Sequence, residues 1–505
     1  MPKKPIVLPV GPWLPDQPSL NNDGSTNVRN VIARSSKSYG PSGGPAIYSS
    51  ALNKRCQGAN AFLDASGNVQ MIAGDVNDLY NLVPGSTNWN VISKSAGAYA
   101  VPTDNFWNYA YFNGIVIATD FVDPMQAFTL GVSSAFADLS SAAPKARYCA
   151  VVKGFLAVGN TYDSVNGNQA QRVWWSAAGD PTNWPTPGTA SAAEYQSSYT
   201  DLFGPGGWVQ GIVGNLGYAD GAVFQEHAVW RMNYAGPPDV FEFLPAENIR
   251  GTPAPGSIVQ AGNLVYYLGE DGFYAFDGML SRPIGADRFD KYFFSDLDQF
   301  NINRVIGTVD PINRNILWAY PGAGNVNGTP NHILCYNWIY DRATILDLST
   351  ECIARILSIG YTLDGLDNTG FNLDTLPASL DSRVWTGGSL LLGLFDTNHK
   401  LNFMTGSNLA PTVTTAEKEV APGMRLRVSN ARPLVDGGIP SVSIGHRERL
   451  QDSVAYTSPS ALNSMGTCPT RTSGRYLRAQ ITLPAGSSFT HIQGVEVSGD
   501  LAGSR

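Results

Sequence analysis

Paired runs of β-favouring residues recur along this chain at a nearly constant spacing, and that spacing limits the fold more than any other feature. The stretch WNYAYFNGIVIATD, residues 107–120, sets two such runs about Asn113-Gly114. That dipeptide tolerates positive φ and suits the type I′ turn that matches strand twist. YCAVVKGFLAVGN (148–160) repeats the pattern around Lys153-Gly154, and LVYYLGEDGFYAFDG (264–278) repeats it around Glu270-Asp271-Gly272. DGAVFQEHAVWRM (220–232) and RVIGTVDPINRNILWAY (304–320) have the same form. Hairpins therefore begin near Ala61, Trp107, Tyr148, Ala222, Leu264, Val305 and Cys352, and most intervals are 41 to 47 residues. A four-stranded propeller blade occupies about 40–45 residues. Repeating small sheets about an axis also hides edges that would otherwise pair with other chains.

The spacing predicts an all-β chain whose residues 51–383 form a β-propeller of six to eight blades. The interval from Tyr148 to Ala222 is too long, and its excess falls on a segment rich in Asn, Ser and Gly at 162–211, read as an insertion or a widened blade. Residues 1–50, rich in Pro, Asn, Ser and Gly, read as an extended N-terminal arm that orders only against something else. From residue 384 onward the pattern changes to longer loops and isolated strands near 425–428, 441–444, 476–483 and 489–497. That change predicts a separate C-terminal β domain over 384–505. Helical periodicity is scarce, because Gly or Pro interrupts most windows long enough to show it.

Charge narrows the partners. Asp, Glu, Lys and Arg make up only 15% of the 505 residues, and the formal net charge is −8. The fraction is low against the roughly 25% typical of soluble domains. An acidic balance argues against a protein whose task is to grip phosphates. The only short basic cluster, Lys3-Lys4, reads as a solvated terminus. Five cysteines (Cys56, Cys149, Cys335, Cys352, Cys468) are odd in number and never form a CxxC pair, which favours free thiols and a reducing compartment of synthesis. The run MPKKPIVLPVGPW is broken by Pro9 and does not suit a secretory signal, and no stretch reaches the eighteen apolar residues of a membrane span.

Candidate chemistry is sparse. His227, His332, His399, His446 and His491 lie far apart, and the closest approach to a metal pair, His332 with Cys335, places its members on opposite faces of a strand. No GxSxG elbow, P-loop or GxGxxG occurs. Glu270, Asp271, Asp277, Asp287 and Asp290 cluster in sequence and invite a glycosidase reading, which needs two carboxyls at a set separation. Asp271-Gly272 and Asp277-Gly278 read more simply as turns in which Asp bonds its own backbone. Asn327-Gly328-Thr329 matches a glycosylation sequon by chance. QRVWWSAAGDPTNWP (171–185) concentrates Trp174, Trp175 and Trp184. Adjacent tryptophans on a strand face opposite sides, so packing is preferred to a sugar-stacking platform. No catalytic, cofactor-binding or metal-binding residue is assigned, and the chain is expected not to be an enzyme.

The order of several segments resembles one family. They are LPDQPSLNNDGSTNVRNVIARSSKSYGPSGG (14–44), WNYAYFNGIVIATDFVDPMQAF (107–128), APKARYCAVVKGFLAVGN (143–160), RVWWSAAGDPTNW (172–184), AVFQEHAVWRM (222–232), GTPAPGSIVQAGNLVYYLGEDGFYAFDG (251–278) and the ending RYLRAQITLPAGSSFTHIQGVEVSGDLAGSR (475–505). Together they resemble the tail hub or nozzle proteins of short-tailed bacteriophages, which include packaged-DNA stabilisation proteins and tail tubular proteins of type B. The resemblance covers most of the chain and is weakest between about 325 and 424. It implies a structural subunit of the virion tail, made in the bacterial cytoplasm and assembled as a homo-oligomeric ring, usually a hexamer. Such a ring continues the DNA channel below the portal and adaptor, retains packaged double-stranded DNA without sequence-specific contacts, and permits its ejection. It also offers surface to fibres or spikes. A carbohydrate-binding or glycosidase-like propeller acting at the host surface stays open as the alternative.

Overall fold

A computed structural model describes residues 5–83, 86–357, 390–420 and 422–503. Among the described residues, seven four-stranded antiparallel units follow one another. Blade 1 comprises Ala59–Leu63, Val69–Gly74, Leu79–Leu82 and Trp89–Val91. Blade 2 comprises Asn108–Phe112, Ile115–Thr119, Gln126–Thr129 and Ala137–Asp138. Blade 3 comprises Lys145–Val152, Phe155–Asp163, Gly167–Trp175 and Ser198–Asp201. Blade 4 comprises Val209–Gly214, Gly221–Gln225, Val229–Gly236 and Val240–Glu247. Blade 5 comprises Val259–Ala261, Leu264–Leu268, Phe273–Phe276 and Ser281–Pro283. Blade 6, Ile306–Asp310, Asn315–Tyr320, His332–Asn337 and Arg342–Leu346, is the start of a longer sheet. Blade 7 takes Cys352–Leu357, Leu390–Phe395 and Lys400–Phe403 from one part of the chain and Ala46–Ala51 from another.

Apolar cores between successive blades hold the ring. Ile72, Val116 and Phe128 join blades 1 and 2, and Ile117 with Leu156 joins 2 and 3. Val173 meets Val223 between 3 and 4, and the rings of Phe224 and Tyr267 pack 5.2 Å apart between 4 and 5. Phe273 lies 4.6 Å from Trp318 between 5 and 6, and Leu317 meets Ile353 between 6 and 7. Met71 and Tyr80 of blade 1 share a core with Cys352 and Ile356 of blade 7, which closes the circle. Each large apolar side chain sealed this way contributes about 1.5–3 kcal/mol. The expectation of a β-propeller with six to eight blades therefore resolves to seven. The hairpin turns follow the sequence reading, with Asn113 and Gly114 at φ 46° and 88° and Lys153 and Gly154 at φ 50° and 84°.

The N-terminal segment is extended, but its partners lie within the same chain. Ala46–Ala51 is the outer strand of blade 7, paired with Lys400–Phe403, and Leu52 N–H donates to the His399 carbonyl (3.0 Å). The preceding strands enter a two-sheet sandwich with the C-terminal region. One sheet contains Ile6–Pro9, Val31–Ser35, Ser38–Pro41, Arg425–Val435, Thr472–Gly474 and Ile492–Ala502. The other contains Ser25–Arg29, Thr412–Thr415, Ser441–Arg447 and Tyr476–Thr482. Arg29 pairs in parallel with Ile345, so the second sheet continues blade 6. One apolar cluster runs from Phe273 and Trp318 through Trp13 and Val28 to Ile444 and Val497, which welds sandwich to propeller.

Three expectations are corrected, those for the arm, the 384 boundary and two hairpin starts, and one open alternative, an insertion or a widened blade at 162–211, is decided. The arm at 1–50 is an integral part of both bodies, because its strands complete sheets whose other members lie some 400 residues away. The boundary at 384 falls outside the described residues, and Leu390–Phe395 with Lys400–Phe403 still belongs to blade 7, so the sandwich resumes at Thr412. The excess at 162–211 is a widened blade 3. Its second and third strands are nine residues each, and a short helix, Ala190–Tyr195, precedes its outer strand. Two hairpins, at Ala222 and Leu264, are the middle strands of blades 4 and 5 and not their beginnings.

Candidate functional site

The first strand of each blade lies nearest the axis, and those of blades 2, 3 and 4, and of blades 5, 6, 7 and 1, touch in succession. They enclose two axial cavities of about 340 and 470 Å³. The larger is bordered by Gly58–Asn60, Trp107, Val259, Ile306–Val309 and Cys352–Arg355. The smaller lies where the loops from one blade's outer strand reach the next blade's inner strand, and it is the more chemically differentiated.

Four consecutive blades and their connecting loops build the smaller cavity. Arg147 and Tyr148 stand at the start of blade 3, where strand alternation turns neighbouring side chains apart. Arg147 Nη1 donates to Asn105 Oδ1 (3.3 Å), and its guanidinium lies 4.8 Å from the centre of the Phe121 ring. Its Nε is buried and makes no hydrogen bond. Tyr148 donates its hydroxyl to Gln210 Oε1 (3.3 Å), and burial raises its pKa, so the proton stays on. Asn108 Oδ1 accepts from Cys149 N–H (2.9 Å). At the mouth, Trp208 is 53% exposed and its backbone N–H donates to Glu226 Oε2 (2.9 Å). Asp104 faces Arg304 at 3.7 Å.

None of these residues stood out in the sequence. They come from segments near 104–108, 147–148, 208–212 and 226, each unremarkable alone, and only the ring brings them together. The sole available signal was position, since all but Glu226, which sits in the turn between the second and third strands of blade 4, lie in or beside a first strand.

The residues singled out in sequence go elsewhere. Trp174 and Trp175 do face opposite sides of blade 3, and both sides are cores: Trp174 packs towards blade 2 with Trp184 and Tyr199, and Trp175 towards blade 4 against Phe241 at 5.2 Å. Trp174 and Trp184 meet edge to face at 72°, both buried, so they present no flat platform. Glu270 pairs with His227 on the surface (2.8 Å), and Asp287 is exposed near Lys291. Asp277 accepts from the N–H groups of Met279 and Leu280, as a turn aspartate does. Asp271 departs from that reading and accepts from the Tyr274 hydroxyl (2.7 Å). Asp290 is buried beside Phe273; burial chiefly raises its pKa, and Asp271 is near enough for its charge to add to the rise.

His332 Nδ1 lies 2.9 Å from Asp296 Oδ2, which also accepts from the Tyr320 hydroxyl. Burial opposes ionisation of Asp296, but these hydrogen bonds prevail and lower its pKa. Cys335 points into the core between blades 6 and 7. His399 Nδ1 contacts Glu351 Oε1 (2.7 Å), whose pKa burial raises, and His491 Nδ1 lies 2.8 Å from Ser38 Oγ. His446 Nδ1 is buried without a hydrogen-bond partner. Asn327 sits in a turn at φ 52°, its carbonyl accepting from Arg304. Among the described residues, no group of three or more His, Cys, Asp or Glu side chains converges to hold a metal ion, and no helix is long and apolar enough to cross a membrane.

The molecule is thus a seven-bladed β-propeller joined to a β-sandwich made from both ends of the chain. No protein-family model matches it, and no curated protein does. Among solved structures it is similar to the Pan2 WD40 domain of Neurospora crassa, at 8% identity and a TM-score of 0.38, over 73% of this chain and 95% of that one. It is also similar to the computationally designed Ika8 protein, at 8% identity and a TM-score of 0.36, over 72% of this chain and 99% of that one.

Proposed function

We propose that the chain is a structural subunit of a ring in the tail of a short-tailed phage, of the hub or nozzle kind. Several copies, six being the expected number, surround a path for double-stranded DNA below the portal and adaptor, and their outer walls receive fibres or spikes. The observation that carries this reading is the placement of large apolar side chains in solvent. Loops that lead from one blade to the next, and the turns between second and third strands, share one face of the wheel. On that face Phe300 is 99%, Val165 88% and Ile249 85% exposed, with Phe203 and Val326 also outward. Exposed apolar surface on a chain with only 15% charged residues suits burial against other subunits.

The axis of the propeller is not the DNA path in this reading. Duplex DNA, whose major groove alone is about 12 Å wide, does not fit through spaces of 340 and 470 Å³. The channel must then lie between copies, and a net charge of −8 suits a wall past which phosphates slide. The test is the mass of the purified full chain by native mass spectrometry and mass photometry, alone and with the portal and adaptor rings of the same phage, followed by electron microscopy. A closed ring with a DNA-wide central opening is the expected result. A monomer at every concentration that also ignores those rings defeats the proposal.

A further inference from the structure

We propose that the smaller axial cavity is a binding site for a sugar residue that carries a carboxylate, such as a uronic acid within a polysaccharide. This does not depend on the ring, because every contributing residue belongs to one chain. Its volume of about 340 Å³ lies at the lower end of the range for small-ligand pockets, roughly 300–1,000 Å³.

The charge requirement comes from Arg147. Its guanidinium is held in place by the Phe121 ring and Asn105, yet among the described residues no carboxylate lies within ion-pair distance of it, and its Nε is buried without a partner. Of the two acids on the cavity wall, Asp104 faces Arg304 and Glu226 accepts from the Trp208 N–H through one oxygen, and neither is within ion-pair distance of Arg147. A partly desolvated cation without a counter-ion is costly, and a guanidinium fits a carboxylate through two parallel hydrogen bonds.

The sugar requirement comes from the other walls. Asn108 and Gln210 each use the side-chain carbonyl within the protein, accepting from Cys149 N–H and from the Tyr148 hydroxyl. Each amide NH2 is left as a donor. Glu226 keeps a second carboxylate oxygen as an acceptor. Donors and an acceptor side by side suit vicinal hydroxyls, which both give and receive hydrogen bonds. Trp208, half exposed at the mouth, offers a flat apolar face against which the C–H face of a pyranose can lie. An acidic peptide would satisfy Arg147 but has no such hydroxyl pairs for the amides.

The test is calorimetric titration of the full chain with a uronic-acid trisaccharide, an uncharged trisaccharide of the same length, and a tri-aspartate peptide. The uronide is expected to bind at least tenfold more tightly than either of the others. Arg147→Met should weaken the uronide about 10- to 100-fold, the range for a lost charged hydrogen bond, and erase its advantage over the neutral sugar. Trp208→Ala, at an exposed position that cannot threaten folding, should weaken both sugars. Equal affinity for charged and neutral sugars overturns the role of Arg147, and tighter binding of the peptide makes this a peptide site. No heat from any ligand at about 10 mM, well above a millimolar dissociation constant, ends the proposal, as does unchanged uronide binding by both variants when circular dichroism shows them folded.

Discussion

Replacing Asp290 with Asn should alter how stability depends on pH, and the structure sets the size of the effect. The carboxyl is 6% exposed and receives one hydrogen bond, from Phe273 N–H at 3.2 Å. Burial pushes its pKa from 3.8 up to about 7, against the pull of that N–H, and the nearby charges of Asp16 and Asp271 add to the rise. Between those values the folded chain keeps a proton that the unfolded chain has lost. Stability therefore falls as pH rises from about 4 to about 7 and levels off above, a loss of roughly 4 kcal/mol at most from this one group. Asparagine is nearly isosteric, keeps an oxygen for Phe273 and does not titrate.

The variant should accordingly gain on the natural protein by roughly 2.5 kcal/mol between pH 5 and pH 8, the first ~1.5 kcal/mol of the wild-type loss having come below pH 5. Urea unfolding at pH 5, 6, 7 and 8 measures this, read by tryptophan fluorescence, to which Trp318, packed at a tilt against Phe273, and Trp13 contribute. Asp120, raised to about 6 chiefly by burial, titrates in both proteins and cancels in the comparison. A gap between the two proteins that stays constant within about 0.5 kcal/mol over this range would mean that Asp290 is ionised in the fold, and the reasoning fails.

The same region gives a steric prediction: a Cβ on Gly285 would lie 1.9 Å from Asp290 Oδ1, so Gly285→Ala should lower the thermal midpoint and more sharply than Gly97→Ala, where nothing lies within 4 Å and the cost comes only from a φ of 68°. Trp175→Ala removes a side chain packed on Phe241 whose indole N–H donates to the Gln196 carbonyl (2.9 Å), and should cost about 3–5 kcal/mol in denaturant unfolding. A loss under about 1 kcal/mol would show that blade 3 and blade 4 are not joined there. All five cysteines are buried and burial raises the Cys149 pKa to about 12, so an aromatic disulfide reagent should label none of them at pH 8 until denaturant is added.

What could be read from the sequence was whatever the chain encodes locally. Asn113-Gly114 and Lys153-Gly154 fix their turns by backbone preference, and the hairpins around them were legible. The first strands of blades 4 and 5 were not. Val209–Gly214 is interrupted by Gly211, where a Cβ would lie 2.4 Å from Ile258 Cδ1 at the entry to the neighbouring blade. Packing between blades thus erased the alternation that marks a strand. Val259–Ala261 is three residues long, too short for any pattern. The cavity was illegible for a related reason: Arg147, Gln210 and Trp208 become neighbours only when the ring closes.

The N-terminal segment shows most clearly how distance along the chain hides structure, and it makes a strong claim. Ile6–Pro9 pairs with Ile492–Ala502, Ser25–Arg29 with Thr412–Thr415, and Ala46–Ala51 with Lys400–Phe403. Removing residues 1–51 would strip the outer strand from blade 7 and uncover edges in both sheets of the sandwich, along with the apolar cluster around Trp13 and Val28. Unpaired edges beside exposed apolar surface favour aggregation. Contacts of such long sequence separation also form slowly, so the exposure would persist through folding. The truncated chain should collect in the insoluble fraction, and residues 1–51 co-expressed as a separate polypeptide should restore soluble protein by supplying the same strands. Recovery of a soluble truncated chain that melts within a few degrees of the full chain would show that the ring and sandwich close without this segment, and that its strand pairings add little to the fold.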